Sequence, residues 1–266
     1  QPARYDAVWR GIRESVAPDD LLIIKPRRAT LDEVAICHDR QYIAEAEEDV
    51  KSGIGTLRTG DTDVCERSFD VALLAVGGVL EAVDAVMEKR APTAFCPVRP
   101  PGHHATRDHG MGFCIFNNIA IGARYAQKEH GVERVLIADW DVHHGNGTQD
   151  IFYADDSVLF FSTHQWPCYP GTGTIRERGE GRGKEFTINC PVAAGSGRKE
   201  IMSAFNDMLL PAAEAFRPDL VMISAGFDSR RGDPIGSLDL GDGDFADLTA
   251  MLLKVADAHA GGRVVS

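Results

Sequence analysis

Asp139, Asp141 and His143 stand at every second position directly after the apolar run Val135–Ala138. In an extended backbone, side chains two residues apart share a face, so the three would point together. Two carboxylates and an imidazole meeting at a buried strand end repel one another or force protonation unless a cation lies among them. A divalent metal meets that need. Asp141 and His143 supply two ligands, and Asp228, just beyond the apolar run Leu220–Ser224, is the natural third. Three protein ligands leave a position open for water, the pattern of a catalytic rather than a structural zinc site. A lone Asp-x-His would read more simply as a turn beside a core histidine. The pair His103-His104, set on a rigid turn by Pro100, Pro101 and Gly102, changes that balance. A neutral imidazole beside a metal-activated water can take its proton as the water attacks a carbonyl. Seven of the nine histidines (103, 104, 109, 130, 143, 144 and 164) fall between positions 103 and 164. Of these, His109 and His130, with His259 further on, read as ordinary loop or helix-end residues.

These groups need strands that deliver them to one place. Runs rich in apolar and β-branched residues occur at 21–24, 93–98, 135–138, 157–162, 186–190, 220–224 and 263–265, and read as strands. Segments with helical spacing lie between them, at 3–16, 31–51, 66–89, 117–130, 199–216 and 245–259. Strand alternating with helix predicts a single three-layer α/β domain over residues 1–266, a mainly parallel sheet flanked by helices. In such sheets ligands bind at the carboxyl ends of strands. The 93–98, 135–138 and 220–224 strands all run there into His or Asp.

Composition narrows the partners. With 40 acidic and 28 basic residues the chain carries a formal charge of −12, which argues against direct binding to nucleic acid through a basic face. The longest stretch without a formal charge, Ser157–Ile175, holds His164, Gln165, two prolines and two glycines, so no membrane segment is expected. Six cysteines without a CxxC pair, and no visible secretory signal, read as reduced thiols in a cytoplasmic setting, or a nuclear one in a eukaryote. No GxSxG elbow, Walker lysine or complete dinucleotide fingerprint is present. The acidic stretch Asp239–Asp244 lacks a calcium-loop ligand ladder and reads as a helix-capping turn.

Five motifs together resemble the zinc-dependent histone deacetylases, in the class II-like and bacterial amidohydrolase branch of the arginase/deacetylase superfamily. They are Arg99-Pro-Pro-Gly-His-His-Ala105, Gly112-Phe-Cys-Ile-Phe-Asn-Asn118, Asp139-Trp-Asp-Val-His-His-Gly-Asn-Gly-Thr148, Pro170-Gly-Thr-Gly173 and Ser224-Ala-Gly-Phe-Asp228. The resemblance implies an arginase/deacetylase-like fold and zinc held by Asp141, His143 and Asp228. It implies His104 as general base with His103 as its charged or proton-donating partner, oriented by Asn146 and Asp139 respectively. Gly112, Phe113 and Tyr169 would line a narrow channel for an acyl-lysine side chain, although both aromatics would otherwise read as core. Structural potassium would lie at Asp139, Asp141, His143, Ser162 and Thr163, with a second site near Phe152, Asp155 and Val158.

The implied reaction is removal of an acetyl group from a lysine side chain of a protein. An acetylated polyamine or other small amide is the nearest alternative, which an acidic group at the channel mouth would favour. Ferrous iron suits two carboxylates and an imidazole as well as zinc does. The family's transition-state donor, a Tyr in a glycine-rich loop, would follow Arg263–Ser266, and Gln1–Arg4 resembles the tail of a longer opening motif. Both ends are therefore expected to be cut. Without that donor the rate would fall by about 10²–10³, leaving a weakly catalytic acyl-lysine-binding module as the reading of another class. A two-manganese ureohydrolase would need a further aspartate-rich ligand set that the sequence lacks.

Overall fold

A computed structural model describes residues 2–266, with side chains from residue 3 onward. Six strands form one sheet in the order β1-β6-β5-β2-β3-β4, with every pairing parallel. They are β1 (Thr93–Ala94), β2 (Val135–Asp139), β3 (Val158–Gln165), β4 (Thr187–Val192), β5 (Leu220–Ser224) and β6 (Val264–Val265). Parallel neighbours require crossovers, and the sequence supplies them as helices. These are α1 (Pro2–Ser15), α2 (Leu31–Val34), α3 (Arg40–Ser52), α4 (Ser68–Met87), α5 (Asn118–His130), α6 (Asn146–Phe152), α7 (Arg198–Ala204), α8 (Leu210–Phe216) and α9 (Asp242–His259).

The strand pleat divides the interior into two cores. Val135 and Ile137 of β2, with Phe160 of β3 and Met222 of β5, face α4 and α5. Leu136 and Ala138, with Leu159, Phe161, Val221 and Ile223, face α7 to α9. A sheet buried on both faces explains why these strands read as unbroken apolar runs instead of alternating ones. No helix among the described residues is long and apolar enough to cross a membrane.

Three sequence expectations are corrected. The 21–24 segment is not a strand but an irregular, largely exposed connection, with Ile23 65% accessible. The 31–51 helix is two helices, because Asp39 leaves helical geometry to begin α3 and its N–H donates to the Arg107 carbonyl. The 199–216 helix is continuous but contains a π turn at Phe205–Leu209, just before Pro211. Proline lacks the N–H for a regular helical bond, and the wider turn accommodates that loss.

Candidate metal centre and channel

The chain runs outward from β2 to β3 and β4, then returns to β5 on the other side of β2. That reversal opens a crevice between the carboxyl ends of β2 and β5, where open parallel sheets bind their ligands. Asp141 and His143 follow β2 and Asp228 follows β5. Each offers one donor atom, and these atoms lie within 4.8 Å of one another.

Their convergence is built by turns, not by the extended strand that the spacing suggested. β2 ends at Asp139, whose Oδ1 accepts the Asp141 N–H at 3.1 Å, and Asp141 Oδ1 in turn accepts the His143 N–H at 2.8 Å. Two successive side-chain-to-backbone turns of this kind, each spanning two residues, curl the segment and bring its side chains inward. Val142 N–H donates to Asp228 Oδ1 at 3.0 Å, tying the β5 segment to the β2 segment. Gly226 is needed for this closeness: a Cβ there would stand 2.0 Å from Asp141 Oδ2.

His143 Nδ1 lies 3.0 Å from Asp141 Oδ1 and 3.2 Å from Asp228 Oδ2. Burial opposes a charge on His143, yet its bonds to the two carboxylates raise its pKa to about 10. The three groups therefore favour a positive charge at their centre. Among the described residues no lysine or arginine pairs with Asp141 or Asp228; their ion-pair partners are histidines. Two carboxylates and an imidazole, convergent and free of a competing cation, fit a divalent metal.

His103 and His104 are buried, at 8% and 4% exposure, not displayed on an open loop. Their rings sit 4.0 Å apart, and His104 is 5.9 Å from the His143 ring. His103 Nδ1 meets Asp139 Oδ2 at 2.9 Å, and His104 Nδ1 meets Asn146 Oδ1 at 2.8 Å. Burial alone would drive His103 and Asp139 to their neutral forms, but Asp139 and Asp141 together favour the ion pair and raise His103 to about 9. For His104 burial comes first and the His103 cation second, and both push it down, to about 2. The amide of Asn146 donates from Nδ2 towards the His104 carbonyl and Met111 Sδ. Its Oδ1 must then accept, so His104 carries its proton on Nδ1 and keeps Nε2 as a free base.

A cavity of about 950 Å³ opens over these groups. Phe113 and Tyr169 stand at it with 63% and 38% exposure, so neither is a core residue. Gly112 and Phe113 both take positive φ, +57° and +66°, in a tight turn closed by the Cys114 N–H on the Met111 carbonyl. A left-handed Phe costs roughly 1–2 kcal/mol, and here it turns the aromatic ring out of the core. A Cβ on Gly112 would strike the His104 ring at 2.3 Å. Tyr169 packs edge-on against His104, with ring centres 5.2 Å apart.

Sequence reasoning missed three residues around the opening. Asp61 joins two walls, accepting from Tyr169 Oη and from Gly112 N–H, both at 2.8 Å. Phe227 and Ile235 add exposed apolar surface. Asp61 lies 108 positions from Tyr169, and no local pattern marks it. Phe227 was visible only as part of the motif ending at Asp228.

Of the expected potassium residues, Asp139, Ser162 and Thr163 are buried around the β2–β3 ladder, where Asp139 pairs with Ser162. The Ser162 hydroxyl bonds His164 Nδ1 at 2.9 Å. At the second expected location, Asp155 already pairs with Arg124 and accepts from Ser157. His109, His130 and His259 lie elsewhere and pair with Asp108, Asp84 and Glu214.

Residues 1–266 match the family model described as "Histone deacetylase domain". The chain is 43% identical over 247 residues to "Histone deacetylase 10, chloroplastic" of Oryza sativa subsp. japonica, covering 89% of this chain and 56% of that protein. It is 39% identical over 275 residues to "Polyamine deacetylase HDAC10" of Rattus norvegicus, covering 99% of this chain and 46% of that protein. The chain thus spans about half the length of these two relatives. The solved structure titled "Crystal Structure of HDA15 HD domain" superposes with a TM-score of 0.92 at 38% identity, over 100% of this chain and 77% of the other. A parallel sheet with this order, these turns and this match along its full length make the chain a member of the histone deacetylase family.

Proposed function

We propose that residues 1–266 form a catalytic domain of a zinc-dependent amidohydrolase that removes the acetyl group from a lysine side chain. One observation carries the reading: a convergent Asp141/His143/Asp228 set beside a buried His103/His104 pair, at the base of a cavity with an aromatic opening. Asp141, His143 and Asp228 would hold the zinc, which would polarise the amide carbonyl and make water a better nucleophile.

The rest is work for the protein's own side chains. Asn146 fixes the His104 tautomer so that Nε2 can accept the proton of the attacking water. His103, held as an imidazolium by Asp139, keeps positive charge beside the place where the tetrahedral oxygen gains negative charge. The proton held on the imidazole pair then passes to the leaving nitrogen, so that the amine departs neutral. Phe113 and Tyr169 flank the aliphatic stem of the lysine and exclude water from it. Potassium beside Asp139, Ser162 and Thr163 belongs to the same reading, as a structural cation offsetting the buried carboxylates.

Deacetylation of a fluorogenic acetyl-lysine peptide by the full-length protein tests this. An Asp141→Ala, Asp228→Ala double variant should lose activity and bound metal together; wild-type rates in that variant would overturn the reading. Metal analysis of protein purified without added metal distinguishes zinc from ferrous iron.

The polyamine reading has support in the relative named a polyamine deacetylase. The opening supports lysine more strongly. Beyond the proposed metal ligands Asp141 and Asp228, the acidic residue among the described cavity-lining positions is Asp61, a single carboxylate that braces Tyr169 and Gly112 while keeping its negative charge, so the preference for lysine is argued from the apolar rim. Ile235 offers an apolar surface that cannot hold a second ammonium group. Competition between acetylspermidine and an acetyl-lysine peptide should therefore favour the peptide.

A further inference from the structure

His144 and His164 are buried behind the centre and have no part in the proposed chemistry. Their rings pack at a tilt of 48° with centroids 4.7 Å apart, beneath the loop that follows Tyr169. His164 Nε2 meets the Gly173 carbonyl at 2.8 Å. A carbonyl can only accept, so Nε2 carries the proton and Nδ1 accepts from the Ser162 hydroxyl at 2.9 Å. His144 Nε2 meets Gln149 Oε1 at 3.1 Å, an oxygen that also accepts from Asn189. Its Nδ1 therefore accepts from the Thr172 hydroxyl at 2.8 Å. Each imidazole spends one nitrogen on the 172–173 segment.

The fit around that segment is close. Gly173 has φ +91°, and a Cβ there would lie 2.5 Å from both His144 Cγ and His164 Nε2. Glu177 closes the far side by accepting from the Gly173 and Thr174 N–H groups, the Thr174 hydroxyl and Gln149 Nε2. Tyr169, three residues upstream of Thr172, is the channel wall in edge contact with His104.

We propose that His144, His164 and Thr172 are positioning residues that clamp the 172–174 segment so that Tyr169 stands at the depth and angle needed to grip the acyl-lysine stem. Resting on the deacetylase reading, the clamp governs substrate affinity and leaves the proton-transfer step to His103 and His104.

Three variants of the full-length protein test it. Thr172→Val removes one hydroxyl at nearly constant shape, His164→Leu removes the donor to Gly173, and His164→Gln keeps an N–H near the Nε2 position. Loss of one buried hydrogen bond predicts KM for an acetyl-lysine peptide rising about five- to tenfold in Thr172→Val and His164→Leu. In both, kcat should stay within about twofold and metal content should not change. Hydrogen exchange at the Gly173 and Thr174 amides should quicken about tenfold in those two variants and stay near the wild-type rate in His164→Gln. Unchanged KM in Thr172→Val, a kcat loss as large as the loss in kcat/KM, or a His164→Gln protein as impaired as His164→Leu would each overturn the proposal. Thr172→Val and His164→Gln carry the test if the leucine variant does not fold. A wild-type protein that hydrolyses no acetyl-lysine peptide would refute the functional reading, while the exchange rates would still decide whether the clamp exists.

Discussion

Replacing Gly226 by alanine adds one carbon at a point where Asp141 leaves no room. The new Cβ would stand 2.0 Å from Asp141 Oδ2, 2.4 Å from its Cγ and 2.5 Å from its Cβ, against a floor near 3.0 Å for real Cβ contacts. The carboxylate must therefore retreat by about 1 Å, while a metal ligand tolerates displacements of only about 0.2 Å. Rotation offers no escape, because Oδ1 of the same carboxylate already accepts from the His143 N–H and lies 3.0 Å from its Nδ1. Disturbing a group that merely orients a ligand lowers metal affinity about 10–100-fold, so moving a ligand itself should cost at least the upper end, about 100-fold. Competition with a fluorescent chelator measures this directly, and deacetylase activity at limiting zinc should fall in parallel. Gly243, in the first turn of α9, would meet nothing within 4 Å on gaining a Cβ and serves as the control. Metal affinity within about threefold of wild type in Gly226→Ala would show that the ion is held elsewhere.

Two more outcomes follow from buried histidines. Asn146→Ala removes the acceptor that fixes the His104 tautomer, so kcat should drop on the order of 10²-fold, the low end of what a general base contributes, with metal content unchanged. A drop in bound metal matching the drop in rate would contradict the assigned role. His38, buried between Tyr42 and Phe116, accepts the Asn117 N–H on Nε2 at 2.9 Å, and burial lowers its pKa from 6.5 to about 4. It is neutral when folded and takes a proton below pH 6.5 when unfolded, so unfolding gains a proton in acid and stability falls as pH drops from 6.5 towards 4. Between pH 7 and pH 5 that loss is about 2 kcal/mol. His38→Gln keeps an acceptor but does not titrate, and urea midpoints at the two pH values should show a pH-dependent loss smaller by about that amount; an equal loss in both proteins would refute the linkage.

What the sequence made readable was local. β2 and β5 could be placed because a strand buried on both faces is an unbroken apolar run, and Asp141, His143 and Asp228 sit within five residues of such runs. Alternation along an extended strand is nevertheless not what gathers Asp141 and His143, since β2 stops at Asp139 and two side-chain-to-backbone turns bring them together. The 21–24 run shows the converse error: four apolar residues suffice for a strand pattern, but among the described residues no neighbouring strand pairs with them. What stayed unreadable was long-range pairing. Asp61 with Tyr169 and Arg107 with Asp39 join residues 108 and 68 positions apart. No periodicity encodes a bond of that kind.

The contrast between the two histidine pairs follows from the same rule. His103-His104 and His143-His144 look alike as dipeptides, yet three of the four rings face the centre and His144 bonds to Thr172 and Gln149 behind it. Carboxylates decide the difference. His103 and His143 each have an aspartate within 3.0 Å and rise to about 9 and about 10. His104 and His144 have amides and a hydroxyl as partners, and burial lowers them to about 2 and about 3. The fold thus gives adjacent identical residues opposite tendencies to take a proton, and in the His103–His104 pair this places a base beside a cation at the centre. Behind it stands a neutral, hydrogen-bonding prop. Exchanging those partners, not the histidines, is the change that should redistribute the roles.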